Sequence, residues 1–482
     1  MKTQAINDKM PDSQFSIETK KQILYNAPDK TMIATKPFFD RTFLKTLLVI
    51  AIPIMLQNMM NSLVNILDSV MIGQLGTTEI AAVGLGNQLF FLLNLVLYGT
   101  ASGGMVFTAQ FWGKKDLVSL RKAFGLSLCA ALFISTLFTV ACVFFPEEIL
   151  GLYSSDVAVI KTGAEYLRPV AFCFVPFAIS FMFIFTLRAI EEVKIPVAVT
   201  IVSICVNAVL NTLLIFGLFG FPRLGVKGAA IATVAARTVE LFCFIVVTKK
   251  KKLPILGSPA DHFLFSPRFV VTFFVIVLPV ICNESIWSLG ITFHHKIFAG
   301  LNTLSYAAFS ITSTVSQLTW VVFVGLGNSV SVLIGKKIGE GNYAEAKHYA
   351  TNIAGFAPIV AIFVGALLIP LSFLVPYIFN VENEVSMQAR LFFIILALCY
   401  PMKAFNMNMV VGVIRAGGDT KFGVIYDTLF MWIISIPLSY TLSVHTTLPS
   451  WVIYLCLFAD EPVKVCVGLW RLRSGKWLHS VV

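Results

Sequence analysis

The stretch PIMLQNMMNSLVNILDSVMIGQLG, residues 53–76, is an apolar helix with a polar stripe along one side. Gln57, Asn61, Asn65 and Asp68 recur at intervals of four, four and three, so they share one helical face. About 226 residues later a second proline, Pro279, opens a comparable helix, PVICNESIWSLGITFHHKIFA, residues 279–299. The offset also relates the turn G-K-K-D at Gly113–Asp116 to G-E-G-N at Gly339–Asn342. One residue out, it relates Arg188…Lys194 to Arg415…Lys421. Such a period is too long for a solenoid. In a chain this apolar it reads as two related membrane bundles.

Composition agrees. Of 482 residues, 57% are hydrophobic and only 13% charged, against about 25% charged in a soluble domain. The fold class expected is all-α integral membrane: twelve transmembrane helices in two pseudo-symmetric six-helix bundles. Runs of ~20 apolar residues suffice to span. They fall at 43–72, 81–109, 123–145, 169–187, 195–218, 228–248, 269–299, 304–334, 349–375, 391–414, 422–444 and 451–470. Loops on the side of the termini hold about 26 Lys and Arg against about 5 opposite, which places both termini in the cytoplasm. The expected organisation is a disordered tail at 1–42, an N-lobe at 43–248, a basic linker at 249–268, a C-lobe at 269–470 and a second tail at 471–482. An even number of spans per repeat makes the repeats parallel, with substrate between the lobes and access alternating by rocking.

The net charge of +11 lies in these loops, so it sets orientation and does not indicate nucleic acid. The run Lys249–Lys252 joins the halves. The nine Cys sit in or at the ends of apolar spans, with no C-x-x-C pair, and imply no disulfide framework. No G-x-x-x-x-G-K-[ST] loop, no H-E-x-x-H and no metal-ligand spacing of His is present. The chain is not expected to be an enzyme or to carry a cofactor, and transport is expected to draw on an ion or substrate gradient. The partners expected are lipid, the transported solute and the coupling ion, with a monomer as the working unit.

A carboxylate inside a membrane is costly and faces protein or water. A desolvated carboxyl holds its proton more readily. Asp68 is therefore a candidate proton or sodium site. Thr200, Ser203, Asn207 and Asn211 form a second stripe, on the fifth span, suited to face it, and Thr233 on the sixth is a further candidate. Arg237 and Glu240 read as a mutual pair. In the C-lobe, Glu284 needs a partner; Lys403 is the obvious opposite charge and Asp427 a further member. His294 and His295 read as solvated at the outer end of their span. Pro53 and Pro279 are candidate hinges, because proline removes a helical hydrogen bond and kinks the chain. Aromatic and Met side chains, Trp287 and Trp320 among them, suit flat organic cations.

These residues, with DSVMIGQLG (68–76), AQFWGKKD (109–116), NAVLNTLLIFG (207–217), LGVKGAAIAT (224–233), NESIWSLG (283–290), RAGGDTKF (415–422) and SGKW (474–477), closely resemble the multidrug and toxic compound extrusion family, bacterial branch. The resemblance spans about 42–478, in order. It implies two six-helix lobes around a V-shaped cavity and secondary active export of cationic or amphipathic compounds across the inner membrane, in antiport with H+ or Na+. The family's coupling carboxylate on the first helix falls on Asp68, and its partners on Asn207 and Asn211. One archaeal branch has Asp at the second position; Asn211 does not titrate. NorM-like and eukaryotic branches carry a seventh-helix Glu; Glu284 lies a turn nearer the proline, and Trp287 stands at the family's position. The alternative within transport is a flippase for a lipid-linked sugar or other amphipathic metabolite.

Overall fold

The computed structural model describes residues 40–374 and 381–482, and almost all of these are helical. The first half contains α1 (Arg41–Gly73), α2 (Thr77–Lys114), α3 (Leu117–Phe144), the short α4 (Pro146–Gly151), α5 (Val157–Ala189), α6 (Lys194–Phe216) and α7 (Val226–Lys250). The short α8 (Pro259–Phe263) lies in the connection between halves. The second half contains α9 (Pro267–Ala299), α10 (Thr303–Gly339), α11 (Tyr343–Ser372), α12 (Asn383–Ile414), α13 (Thr420–His445), α14 (Ser450–Cys456) and α15 (Glu461–Ser474). Eleven of these are long and apolar enough to cross a membrane. The expected twelfth span, 451–470, is broken by a turn at residues 457–460. Pro462, in the first turn of α15, explains the break: its missing N–H costs nothing there but would interrupt a continuous helix.

The sequence repeat becomes a repeat of contacts. In both hairpins a left-handed residue, Lys115 (φ 62°) or Gly341 (φ 74°), is followed by a side chain capping the next helix. Asp116 accepts from the Ser119 amide at 3.0 Å and Asn342 from that of Glu345 at 3.1 Å; such caps contribute about 1 kcal/mol each. The first helix of each half also packs on the other half. Phe43, Leu47, Ile50 and Ile54 of α1 share a core with Leu326, Val330 and Leu333 of α10, whereas Phe273 and Val277 of α9 belong to the core of the first half. Small residues permit the crossings. A Cβ at Gly99 would lie 2.7 Å from Ile281 Cα, and one at Gly325 2.3 Å from Met55 Cγ. These two contacts are related by the repeat.

One end of the inter-lobe space is shut, on the side of the basic loops. The ends of α2 and α10 meet backbone to backbone there: a Cβ at Gly339 would lie 1.9 Å from the Gln110 carbonyl oxygen, and one at Gly113 2.0 Å from that of Lys336. Lys336 of the second half reaches Glu191 of the first at 2.7 Å. The segment expected as a C-terminal tail is built into this seam. Trp477 is fully buried, the His479 amide donates to the Gly417 carbonyl at 2.9 Å, and the Val481 amide donates to Gln110 Oε1 at 2.9 Å. The tail expected at the other end, 1–42, lies outside the described residues except for its last three. Of these, Asp40 caps α1 by accepting from the Thr42 amide at 2.9 Å.

Candidate functional site

The first-helix stripe splits between two surroundings. Asp68, near the end of α1 remote from the basic loops, turns toward α6. There Asn211 Nδ2 donates to Asp68 Oδ1 at 2.6 Å and to Asn207 Oδ1 at 3.1 Å. Both asparagines are buried, and Asn211 Oδ1 has no hydrogen-bond partner. The site therefore offers a carboxylate and a free amide oxygen, ligands that suit a proton or a hard cation. Thr233 is not joined to it: its hydroxyl donates to the Ala229 carbonyl of its own helix at 2.9 Å. Arg237 acts on the Asp68 carboxylate electrostatically while bonding Glu240 at 2.8 Å, the mutual pair expected from the sequence.

The rest of the stripe, Gln57, Asn61 and Asn65, borders the space between the halves. A cavity of about 250 Å³ is lined by Gln57, Asn61, Asn65, Tyr98, Phe177 and Arg188 among others. A second, of about 340 Å³, is lined by Glu284, Trp287, Lys403, Arg415, Asp427 and Lys464 among others. Asn94, Tyr98, Trp320 and Val324 border both. A third, of about 180 Å³, continues past Lys403 to His294, His295 and Asp460. Asp68 lines none of the three.

In the second half the ion pairs differ from expectation. Glu284 does not meet Lys403; it accepts from Arg415 Nη2 at 2.7 Å. Arg415 is buried, 3% exposed, although charge counting assigns it to a cytoplasmic loop. It leaves α12 after a π-helical stretch, Asn408–Ile414, and its Nη1 also donates to Ser102 of α2 at 2.8 Å. Asp427 accepts from Asn283 at 3.0 Å and lies 3.8 Å from Lys464, which reaches Asp460 at 2.7 Å. Lys403 sits over the rings of Trp320 and Phe458, at 4.9 and 5.4 Å from their centroids, in the field of Glu461 and Asp460. Arg415 takes the place expected of Lys403 at Glu284, and the carboxylates near Lys403 come from the broken α14–α15 segment. His294 is buried against Ser435, 3.3 Å from its hydroxyl, and is not a solvated end residue.

Sequence reasoning missed Arg188 as a site residue. It is 4% exposed on α5, and its Nη2 donates to Gln57 Oε1 at 2.7 Å. Gln57 in turn donates to Thr200 at 2.9 Å. The echo between Arg188 and Arg415 was the available signal: Gln57–Arg188 is the counterpart of Glu284–Arg415. The offset from proline to proline sets Asn58 against Glu284, but the contacts set Gln57 there.

Two repeated helical halves around a polar, mostly charge-paired cavity have the architecture of a membrane transporter. The chain belongs to the MatE family: the family model matches it twice, at residues 53–213 and 279–441, more than half of its length, and both matches begin on the repeated prolines. It is 24% identical to the "uncharacterized transporter YisQ" of Bacillus subtilis over 93% of this chain and 97% of that one. It is 26% identical to the "probable multidrug resistance protein YoeA" of the same organism over 85% of this chain and 89% of that one. Among solved structures it shares its fold with a MATE protein described in the bent conformation, at a TM-score of 0.81 and 19% identity, over 90% of this chain and 96% of that one.

Proposed function

We propose that the chain is a secondary active multidrug exporter of the bacterial inner membrane, moving cationic or amphipathic small molecules outward in antiport with H+ or Na+. The observation that carries this reading is the separation of two sites on α1. Asp68 is held by Asn211 on one side, and the cavity between the halves is bordered by Gln57, Asn61 and Asn65 on another. A cation taken up at Asp68 acts on the substrate cavity through the helix both sites share, and Pro53, inside α1 between its ends, is the point at which that helix bends most readily. Pro279 has the corresponding place in α9. Displacement of substrate by direct charge competition at Asp68 is not favoured, because Asp68 lies off the cavity wall. Family membership and a relative named for multidrug resistance support the substrate class.

The shut end of the cavity carries the basic loops, so with both termini cytoplasmic the conformation described is closed toward the cytoplasm. Glu284, Arg415 and Asp427, with Lys403 beside them, make the C-lobe wall that contacts substrate.

The test is transport in proteoliposomes with H+ and Na+ gradients imposed separately and a panel of cationic dyes. Asp68→Asn is expected to abolish gradient-driven export while leaving dye binding in detergent within about threefold, a shift smaller than one lost charged hydrogen bond produces. Export and ion coupling both intact in Asp68→Asn would overturn the assignment of Asp68. Silence of the wild-type protein across the panel, with flux of a lipid-linked sugar in its place, would overturn the export reading.

A further inference from the structure

We propose that Arg188 is a binding site for a carboxylate carried by an aromatic substrate. This inference rests on the export reading for the origin of the ligand, but not for the site itself.

The argument is one of charge balance across the repeat. In the second half the triad is Glu284, Arg415 and Asp427, and the guanidinium is neutralised by Glu284 at 2.7 Å. In the first half the equivalent triad is Gln57, Arg188 and Thr200, with the same 2.7 Å contact but no carboxylate. The other cations of the cavity walls have acidic company: Arg237 has Glu240, Lys464 has Asp460, and Lys403 lies in the field of Glu461 and Asp460. Among the described residues Arg188 has a neutral amide, and the face of Phe185 at 5.0 Å from its centroid.

Burial makes the imbalance consequential. A guanidinium carries five N–H donors. Arg188 is 4% exposed, its Nε has no partner, and it lines the 250 Å³ cavity. Its counterpart Arg415 gains a second anchor from Ser102, but Asn328, at the corresponding place on α10, donates to the Val324 carbonyl instead. A buried cation without a counter-ion is costly, and a ligand carboxylate meets that cost with the forked geometry that arginine recognises best. The aromatic wall at Tyr98, Phe177 and Trp320 accommodates a flat ring system attached to that carboxylate.

The experiment measures fluorescence polarisation of two dyes on the purified full-length protein: a rhodamine with a free benzoate carboxylate and the methyl ester of the same rhodamine. Wild type is expected to prefer the free acid by about tenfold or more, the range of one charge-assisted hydrogen-bonded contact. Gln57→Glu, which gives Arg188 the counter-ion that Arg415 already has, is expected to erase that preference by weakening the free acid, while the ester, a net cation, binds at least as tightly as to wild type. Arg188→Gln is expected to do the same, and Arg188→Lys to keep a reduced preference. Because Gln57→Glu installs a pair the fold already contains in its other half, the test survives if Arg188→Gln fails to fold. Equal affinity of wild type for the two dyes, binding of neither, an unchanged preference in Gln57→Glu, or an equal loss of both dyes in that variant overturns the site. A preference that behaves as expected, in a protein that exports neither dye from vesicles, overturns the export reading and leaves the site standing.

Discussion

Gly339→Ala is expected to part the seam that closes the inter-lobe space on the side of the basic loops. The added Cβ would lie 1.9 Å from the Gln110 carbonyl oxygen and 2.7 Å from its carbon. An ordinary C···O contact is about 3.3 Å, so the two backbones must separate by roughly 1.4 Å. Neither side yields locally, because both groups are backbone at the ends of long helices, α2 and α10. Overpacking of this kind costs about 1–3 kcal/mol, and only the closed arrangement bears it. The ratio of open to closed seam is therefore expected to rise by about 5–150-fold. Gly113→Ala makes the mirror contact, 2.0 Å from the Lys336 carbonyl oxygen, and is expected to act alike. Gly84→Ala in α2 meets nothing within 4 Å and serves as the control. The assay is the distribution of distances between spin labels at Lys114 and Glu340, both exposed, in a background with the nine cysteines replaced. Wild type and Gly84→Ala should give one short distance, and Gly339→Ala a second, longer one. An unchanged distribution in Gly339→Ala would refute the reasoning, since it would mean that the close approach does not hold the seam in solution.

Glu284→Ala leaves Arg415 buried without its counter-ion, and is expected to lower stability by about 3–5 kcal/mol, read as a fall in the thermal unfolding midpoint. Lys403→Ala, which removes no ion pair, should lower it much less. Asn211→Ala removes the 2.6 Å donor to Asp68; the concentration of coupling ion giving half-maximal dye export is expected to shift by about tenfold, the range of a hydrogen bond to a charged group. Trp477→Ala empties a fully buried aromatic site beneath Gly417 and should cost about 3–5 kcal/mol. Because this segment spans the seam, the same spin-label pair should report a longer distance.

Several features could be read along the chain because they depend on local order. Membrane class follows from composition, and the two halves from the recurrence of Pro53 and Gly113 as Pro279 and Gly339. The pairing of Asp68 with Asn211 was also legible, because residues three and four apart lie on one helical face wherever the helix is placed. Which face met which neighbour was not legible. A helix carries its own periodicity, but its rotation and depth relative to another helix are settled only when both are packed. Thus Glu284 found Arg415 and not Lys403, and α1 and α9 each packed against the other half as well as their own. The turn before Pro462 carried Asp460 and Glu461 to the cavity, where hydropathy had drawn a plain span. Arg188 and Arg415, counted from sequence as loop charges, are buried at helix ends. The sequence determined that both arginines exist and that one echoes the other. Only the tertiary structure decided that Arg415 meets a carboxylate and Arg188 an amide, because electrostatic balance belongs to groups within a few ångströms of one another and not to their order in the chain.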